Sequence, residues 1–140
     1  MLIDIITLFP NMYSGVFSES LINKAIENKI CEIKTHNLRD YSKSKHKNTD
    51  DTSYGGGPGM VFLPEPLLEA INKLKQKDSH VILTCPKGNN LSQSKVKKLK
   101  SYNHLIIIAA HYEGIDQRIT DQIVDETISV GDYVLCGGEI

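Results

Sequence analysis

Three apolar runs, each followed at once by a turn of small residues, most constrain what this chain can fold into. The runs are Val81–Thr84, Ile106–Ala110 and Thr127–Leu135. Each is short and rich in β-branched residues, which is typical of a strand buried on both faces of a parallel sheet. Because the carboxyl ends of parallel strands meet at one edge, the strand ends at Cys85, Ala110 and Gly131 should converge. The sequence therefore predicts a backbone-lined ligand pocket at that edge.

The turns have the composition of a pocket that binds its ligand through the main chain. They are rich in glycine, which admits positive φ and lets a ligand lie against bare backbone. Neither 111–116 nor 131–138 contains G-x-G-x-x-G or the lysine of a P-loop. The pattern therefore argues against an ordinary dinucleotide or phosphate cradle.

The other segments alternate between strand-like and helix-like patterns. Further strands are predicted at Leu2–Leu8 and Ile30–Leu38. Helical spacing is found around Leu21–Ile26, over Pro64–Lys77, after Ser92 with Val96 and Leu99 facing inward, and over Asp116–Ile123. Strands that alternate with helices predict an α/β domain with a mostly parallel sheet and helices on both faces. At 140 residues the chain is expected to form one domain.

Composition excludes several classes of protein. No run approaches the roughly 20 apolar residues of a membrane span, and the first residues lack a signal-peptide pattern, so we expect a cytoplasmic protein without membrane contact. The net charge is −1, so nucleic-acid binding would require a local basic patch. The odd, widely spaced cysteines Cys31, Cys85 and Cys136 are interpreted as buried free thiols rather than disulfides or a zinc site.

A polar stretch, Arg39–Ser53, supplies a local cluster of basic residues. It is followed by Tyr-Gly-Gly-Gly-Pro-Gly-Met at 54–60. One interpretation is an ordinary solvated loop. The other is a functional loop, because basic residues beside an aromatic ring and exposed backbone amides suit a phosphate chain and an unstacked base. Since 39–54 lacks apolar periodicity, we expect it to be the least ordered part of the chain.

Three motifs in the right order resemble the bacterial tRNA (guanine-37-N1)-methyltransferases of the SPOUT superfamily. They are the 54–60 loop, Tyr-Glu-Gly-Ile-Asp at 112–116, and Gly-Asp-Tyr-Val-Leu at 131–135 followed by Gly-Gly-Glu at 137–139. The opening Ile6–Pro10 and the basic-acidic segment Lys45–Asp51 match as well. The resemblance covers all 140 residues and corresponds to the N-terminal catalytic domain of that family.

The resemblance implies a SPOUT-type fold with a trefoil knot near its C-terminal end, a feature too rare for sequence patterns alone to suggest. It implies a homodimer that binds S-adenosylmethionine in the three turns and tRNA as substrate. The implied cofactor-binding residues are Thr84, Cys85, Pro86, Gly88, Ala110, Tyr112, Glu113, Gly114, Ser129, Val130, Gly131, Asp132, Tyr133, Val134, Leu135, Gly137 and Gly138. The implied tRNA-binding residues are Lys45, His46, Lys47, Asp50, Tyr54, Gly55, Gly56, Gly57, Pro58 and Gly59.

The chain departs from the family pattern in two turns. The first turn typically reads Leu-Ser-Pro-Gln-Gly and here reads Thr-Cys-Pro-Lys-Gly at 84–88. In the second, Ala110 stands for a glycine and His111 for an arginine. The methyl group of Ala110 lies where backbone should pass close to a ligand, and His111 lacks the fixed positive charge of the arginine that it replaces. Both changes are expected to affect cofactor affinity.

No catalytic residue is assigned within the sequence. N1 of guanine carries a proton, so a general base is needed before this nitrogen can attack a methyl group. In the resembling family the base is an aspartate in the linker after the knot, which is expected beyond Ile140. Glu113 is the best polar residue for a supporting role, whereas Asp132 is interpreted as bonding to its own backbone. No metal site is predicted, although the family suggests a role for magnesium.

The sequence stops after Gly-Gly-Glu-Ile, which resembles the entry to another helix. We therefore expect a SPOUT domain truncated at its C-terminal end, without the linker and the C-terminal tRNA-binding domain, and the completeness of the knot stays open. Three functions stay open. The first is an enzyme that methylates guanine N1 in tRNA, and the second is a fragment that binds cofactor or RNA without turnover. The third, methylation of a ribose hydroxyl, is disfavoured by the glycine-rich loop.

Overall fold

The structure, a computed structural model, describes residues 1–53, 56 and 58–139. Its strands are β1 (Leu2–Thr7), β2 (Glu32–Asn37), β3 (Asp50–Thr52), β4 (Met60–Phe62), β5 (Ser79–Asn90), β6 (His104–Ala109) and β7 (Glu126–Ser129). Its helices are α1 (Ser14–Phe17), α2 (Ser20–Glu27), α3 (Pro64–Leu74), α4 (Gln93–Leu99) and α5 (Gln117–Ile123). Short 3₁₀ turns cover Pro10–Tyr13 and Leu38–Tyr41.

In the part of the chain that the structure describes, the main sheet contains five parallel strands in the order β2-β1-β6-β5-β7. The central strand is β6, the most continuously apolar of them, and Ile106 and Ile108 within it have no exposed surface. Because all five strands run the same way, their carboxyl ends lie along one edge. The predicted mostly parallel α/β sheet is confirmed.

Both faces of the sheet carry a core, because successive residues of each strand point to opposite sides. On one face the strands pack against Leu67 and Ile71 of α3 and Ile119 of α5. On the other face they pack against Tyr13, which precedes α1, and Leu99 of α4. Helices therefore cover both faces, as predicted.

A polar network is buried at the amino-terminal part of this sheet. The Asp4 carboxylate in β1 accepts hydrogen bonds from Nε2 of His36 at 2.7 Å and Nε2 of His104 at 2.8 Å. The other ring nitrogens are also bonded, that of His104 to the Ser79 hydroxyl and that of His36 to the Tyr41 hydroxyl. One carboxylate thus links β1, β2 and β6, and its two imidazole partners are fully hydrogen-bonded.

Some apolar helix faces that the spacing predicted to be buried are exposed. No residue of α2 is buried, and Leu21 is 77% exposed. Val96 of α4 is also exposed, whereas Leu99 packs inward as predicted. An apolar stripe is buried only when another layer lies over it, and the described part of the chain leaves the stripe of α2 uncovered.

The last strand is shorter than predicted, since β7 ends at Ser129 rather than at Leu135. The Ser129 hydroxyl donates to the Gly131 carbonyl at 2.7 Å and accepts from the Gly131 N–H at 3.3 Å, which closes a tight turn. β7 is an edge strand of the described sheet, so the apolar residues beyond it have no ladder to join. Val134 is accordingly 82% exposed.

The polar stretch Arg39–Ser53 is more structured than predicted. It begins within the 3₁₀ turn Leu38–Tyr41 and ends in β3, which pairs antiparallel with β4. Nη1 of Arg39 donates to the Leu8 carbonyl at 2.6 Å, and Thr49 is 1% exposed. Hydrogen bonds therefore anchor this segment where apolar periodicity is missing, while its low order relative to the rest of the chain stays a prediction.

The three cysteines are free but not buried, which corrects the prediction of buried thiols. Cys31 and Cys85 are partly exposed and Cys136 is exposed, because each lies in a turn or bulge rather than at a core-facing strand position. Within the described residues, no group of three or more His, Cys, Asp or Glu side chains is arranged to hold a metal ion. None of the described helices combines the length and the apolarity that crossing a membrane requires.

Candidate functional site

A bulge within β5 and the turns after β6 and β7 converge on one cavity, as the apolar runs predicted. The cavity is a partly open pocket, and its roughly 420 Å³ of empty space includes open solvent. Its lining consists of Thr84, Cys85, Pro86, Ala110, Ile128, Ser129, Val130, Tyr133, Leu135, Gly137 and Gly138. Apolar side chains and bare backbone dominate this wall, and no described carboxylate, imidazole or amine belongs to it.

The first turn is a bulge within β5. Thr84 and Asn89 both pair in register with Ile128, so the residues between them loop out of the ladder. Gly88 allows β5 to rejoin its ladder with β7, because a Cβ at this position would lie 2.6 Å from the backbone of Thr127 and Ile128. The glycine at this position is therefore required by close approach of β7.

The third turn packs against both of the others. The Gly138 N–H donates to the Ala110 carbonyl at 3.1 Å, and Gly137 forms an isolated antiparallel bridge with His111. A Cβ on Gly138 would overlap the Thr84 hydroxyl and lie 2.9 Å from the Ala109 Cα. Only glycine fits between these neighbours, so the wall of the cavity consists of backbone at this point.

The second turn connects the cavity edge to the glycine-rich loop. Tyr112 and Gly114 adopt φ of 62° and 116°, and the Glu113 N–H donates to the Met60 carbonyl at 3.0 Å. The Glu113 side chain lies against Gly59, where an added Cβ would approach its Cγ to 2.5 Å. The structure thus brings Glu113 and the end of the 54–60 loop together, although they are far apart in the sequence.

A buried carboxylate lies behind this turn system, and sequence reasoning missed it. The Glu139 side chain is 1% exposed and accepts hydrogen bonds from the Thr7 hydroxyl and from Nε2 of His111, the latter at 2.6 Å. Burial, together with the nearby Glu139 charge, raises the pKa of Tyr13 well above its usual range. The only sequence signal was an acidic residue directly after two glycines, which indicated no particular partner.

Not every predicted cofactor residue lines the cavity. Those outside its lining are Gly88, Tyr112, Glu113, Gly114, Gly131, Asp132 and Val134. Gly131 lies under the ring of Tyr133, which would overlap an added Cβ. Ile128 lines the cavity but was not predicted, because it was assigned to the core of the strand.

Most of the predicted tRNA-binding residues that the structure describes are exposed, and Gly59 among them lies beside Glu113 of the second turn. Lys45, His46 and Lys47 are exposed, and the Lys47 ammonium pairs with Asp40 at 2.9 Å. Asp50 is partly exposed in β3, and Gly56, Pro58 and Gly59 are exposed. Tyr54, Gly55 and Gly57 lie outside the described residues.

A second cavity lies between the β3–β4 hairpin and the start of α5. Its lining consists of Asp51, Thr52, Ser53, Val61, Phe62, Leu63, Pro64 and Asp116. Hydrogen bonds from Arg118 hold the pKa of Asp116 at about 2, so this carboxylate is ionised at neutral pH. Asp116 also accepts the Arg118 N–H at 2.9 Å and so caps α5.

Comparison with known proteins gives a consistent result. Residues 1–140 match the family model described as tRNA (Guanine-1)-methyltransferase TrmD. The chain is similar to a tRNA (guanine-N(1)-)-methyltransferase of Oceanobacillus iheyensis, with 50% identity over 99% of this chain and 58% of the relative. Proteins of the same name from Desulforamulus reducens and Bacillus cereus are 48% and 46% identical, each over the whole of this chain and 57% and 59% of the relative. The chain therefore spans a little under three fifths of the length of these relatives.

Proposed function

The chain belongs to the tRNA (guanine-1)-methyltransferase family, and from this premise we propose that it takes part in S-adenosylmethionine-dependent methylation of N1 of guanine 37 in tRNA. The observation that carries the proposal is the cavity between the three glycine-bearing turns. It unites residues from three strand ends in the positions that the family motifs occupy. A pocket lined by apolar side chains and bare backbone, with no charged side chain among its described residues, suits a small-molecule cofactor better than an RNA backbone alone.

The lining of the cavity fits the cofactor. Ile128, Val130 and Leu135 offer apolar surface for a flat base, while backbone groups at Ala110 and Gly137–Gly138 can read the edge of that base. When bound, S-adenosylmethionine supplies an electrophilic methyl group. We propose that these backbone and apolar groups hold it, without a charged side chain in the wall.

Glu113 is the polar residue best placed to contact the guanine that receives the methyl group. Its side chain lies against Gly59, so it borders both the second turn and the proposed tRNA-binding loop. Its backbone N–H is held by Met60 and its neighbour Gly114 accepts from the Phe62 N–H at 3.1 Å. We propose that Glu113 orients the guanine or the cofactor rather than removing the N1 proton.

The proton on guanine N1 requires a general base, which must come within hydrogen-bond reach of that nitrogen. No carboxylate of the described residues lines the cavity. We therefore propose that the base is supplied from outside residues 1–140. On that basis residues 1–140 alone bind S-adenosylmethionine but do not transfer its methyl group to guanine.

Several finer properties belong to the same proposal. We propose that the backbone around the three turns forms the family's trefoil knot, that two copies pair, and that the protein works in the cytoplasm. The exposed Lys45–Lys47 segment and the neighbouring Pro58–Gly59 would contact tRNA phosphate and an unstacked base. Asp50 would lie beside them in β3.

Methyl transfer to defined tRNA transcripts tests the proposal. Residues 1–140 joined to the remaining C-terminal part of the Oceanobacillus relative should convert guanine 37 to 1-methylguanosine, identified by mass spectrometry of the nucleosides. A transcript with adenine at position 37 should gain no methyl group. Formation of a 2′-O-methylated nucleoside would instead support the ribose-methylating alternative. Robust turnover by residues 1–140 alone would show that a carboxylate such as Asp50, Asp51 or Glu113 acts as the base.

A further inference from the structure

A buried hydrogen-bonded pair, Glu139 and His111, ties together the segments that follow β1, β6 and β7. The Glu139 side chain is 1% exposed and that of His111 is 14% exposed. Glu139 accepts a hydrogen bond from Nε2 of His111 at 2.6 Å and another from the hydroxyl of Thr7, the last residue of β1. The Thr7 hydroxyl in turn accepts the Phe9 N–H at 2.9 Å. The carboxylate therefore has donors from two strand ends.

The pair lies against the backbone that forms the cavity wall. A Cβ on Gly137 would overlap both the His111 imidazole and the Glu139 carboxylate, so both groups pack directly on its Cα. The next residue, Gly138, donates its N–H to Ala110 at 3.1 Å. Gly137, Gly138 and Ala110 line the cavity, whereas His111 and Glu139 do not. Any effect of the pair on a ligand must therefore pass through this wall.

Neighbouring side chains fix the imidazole in place. The Phe9 ring meets the His111 ring edge-on with centroids 4.8 Å apart, and the Arg39 guanidinium lies over the same Phe9 ring at 5.6 Å. Nη1 of Arg39 donates to the Leu8 carbonyl, which anchors this stack to the end of β1. The His111 ring therefore has little freedom to turn away from Glu139.

From these contacts we infer that Glu139 and His111 are positioning residues, which hold the Gly137–Gly138 wall in register with Ala110 and so preorganise the cavity for its ligand. Charge-assisted hydrogen bonds suit this task because they are shorter and stronger than neutral ones. A preformed site binds more tightly because less ordering is left to do on binding. The inference deepens the proposed function and rests on it, since the ligand is S-adenosylmethionine.

Four variants of the 140-residue chain separate positioning from general stability. Glu139→Ala removes both acceptors and His111→Leu removes the donor, whereas His111→Gln keeps an N–H that can reach the carboxylate. Glu65→Gln, exposed in the first turn of α3, is the matched control. In calorimetric titration with S-adenosylmethionine, Glu139→Ala and His111→Leu should raise Kd at least about tenfold. His111→Gln should recover most of the affinity, and Glu65→Gln should leave it unchanged.

Amide hydrogen exchange provides a readout that needs no ligand. Glu139→Ala and His111→Leu should speed exchange of the Gly138 amide while the amide of Ile106, in the middle of β6, keeps its protection. Unchanged Gly138 exchange would overturn the inference, as would an equal loss of protection at Ile106, which would indicate general destabilisation. If the unmodified chain fails to bind S-adenosylmethionine, the proposed function fails, and the Gly138 exchange still decides whether the pair holds the wall.

Discussion

Replacing Gly138 by alanine should weaken cofactor binding far more than the same change at Gly131. Both glycines belong to the third turn, but their surroundings differ. A Cβ on Gly138 would meet the Thr84 hydroxyl and the backbone of Ala109. The atoms nearest to a Cβ on Gly131 are outer ring atoms of Tyr133, a flexible and largely exposed side chain that can move aside. The two variants are therefore matched in chemistry and differ in what they displace.

The expected size of the Gly138 effect follows from the contact distances. The new Cβ would lie 2.9 Å from the Ala109 Cα, whereas carbon atoms prefer about 3.5–4.0 Å, so the two segments must separate by roughly 0.6 Å or more. Overpacking of this kind costs about 1–3 kcal/mol. The movement also strains the hydrogen bond from Gly138 to Ala110, worth about 1 kcal/mol. Kd for S-adenosylmethionine should rise about 10–100-fold in Gly138→Ala and about twofold or less in Gly131→Ala.

Calorimetric titration with S-adenosylmethionine measures both variants, and thermal unfolding without ligand shows whether each is folded. A folded Gly138→Ala protein with unchanged Kd would refute the view that this backbone forms the binding wall. Equal losses at Gly138 and Gly131 would refute the geometric distinction between them.

Three further outcomes are expected. Asp4→Ala leaves the buried His104 without its hydrogen-bond acceptor and should lower the free energy of unfolding by about 3–5 kcal/mol, measured by denaturant titration. A loss below about 1 kcal/mol would show that the hydrogen bonds of Asp4 to His36 and His104 matter little for stability. Arg118 holds the pKa of Asp116 at about 2, below its model-compound value of 3.8, so the stability this contact provides is complete above that value and is lost as pH falls through about 2. Asp116→Asn should therefore flatten that part of an acid-unfolding curve, and an unaltered curve would show that the carboxylate does not contribute. Lys45→Ala should weaken tRNA binding and lower the slope of log K against log salt concentration by about one, while affinity for S-adenosylmethionine stays unchanged. Filter binding at several salt concentrations measures this slope, and an unchanged slope would place Lys45 away from the RNA.

The parts of the site that the sequence revealed are those encoded by local pattern. Apolar, β-branched runs identified the buried first half of β5 and the whole of β6. Because these strands are parallel, the β5 bulge and the turn after β6 lie on the same side of the sheet. Close approach of backbone explains why Gly88 and Gly138 stand where they do. The capping of α4 by Ser92, whose hydroxyl accepts the Lys95 N–H at 3.2 Å, was likewise readable from the residues.

What the sequence did not reveal depends on contacts between distant positions. Thr7 and Glu139 are 132 residues apart, and Asp4 and His104 are 100 apart, so no local pattern links either pair. The apolar stripe of α2 and the run after Ser129 were predicted to be buried because periodicity reports a preference for burial. It does not report whether another element is present to cover them.

We propose that S-adenosylmethionine binds between the β5 bulge and the turns after β6 and β7. The most direct measurement is a titration of the isotopically labelled chain followed by the backbone amide resonances. The amide resonances of Ala110, Gly137 and Gly138 should shift strongly, while those of Thr52 and Phe62, in the second cavity, should not move. Shifts confined to Thr52 and Phe62, or no shifts at millimolar cofactor, would contradict the proposal.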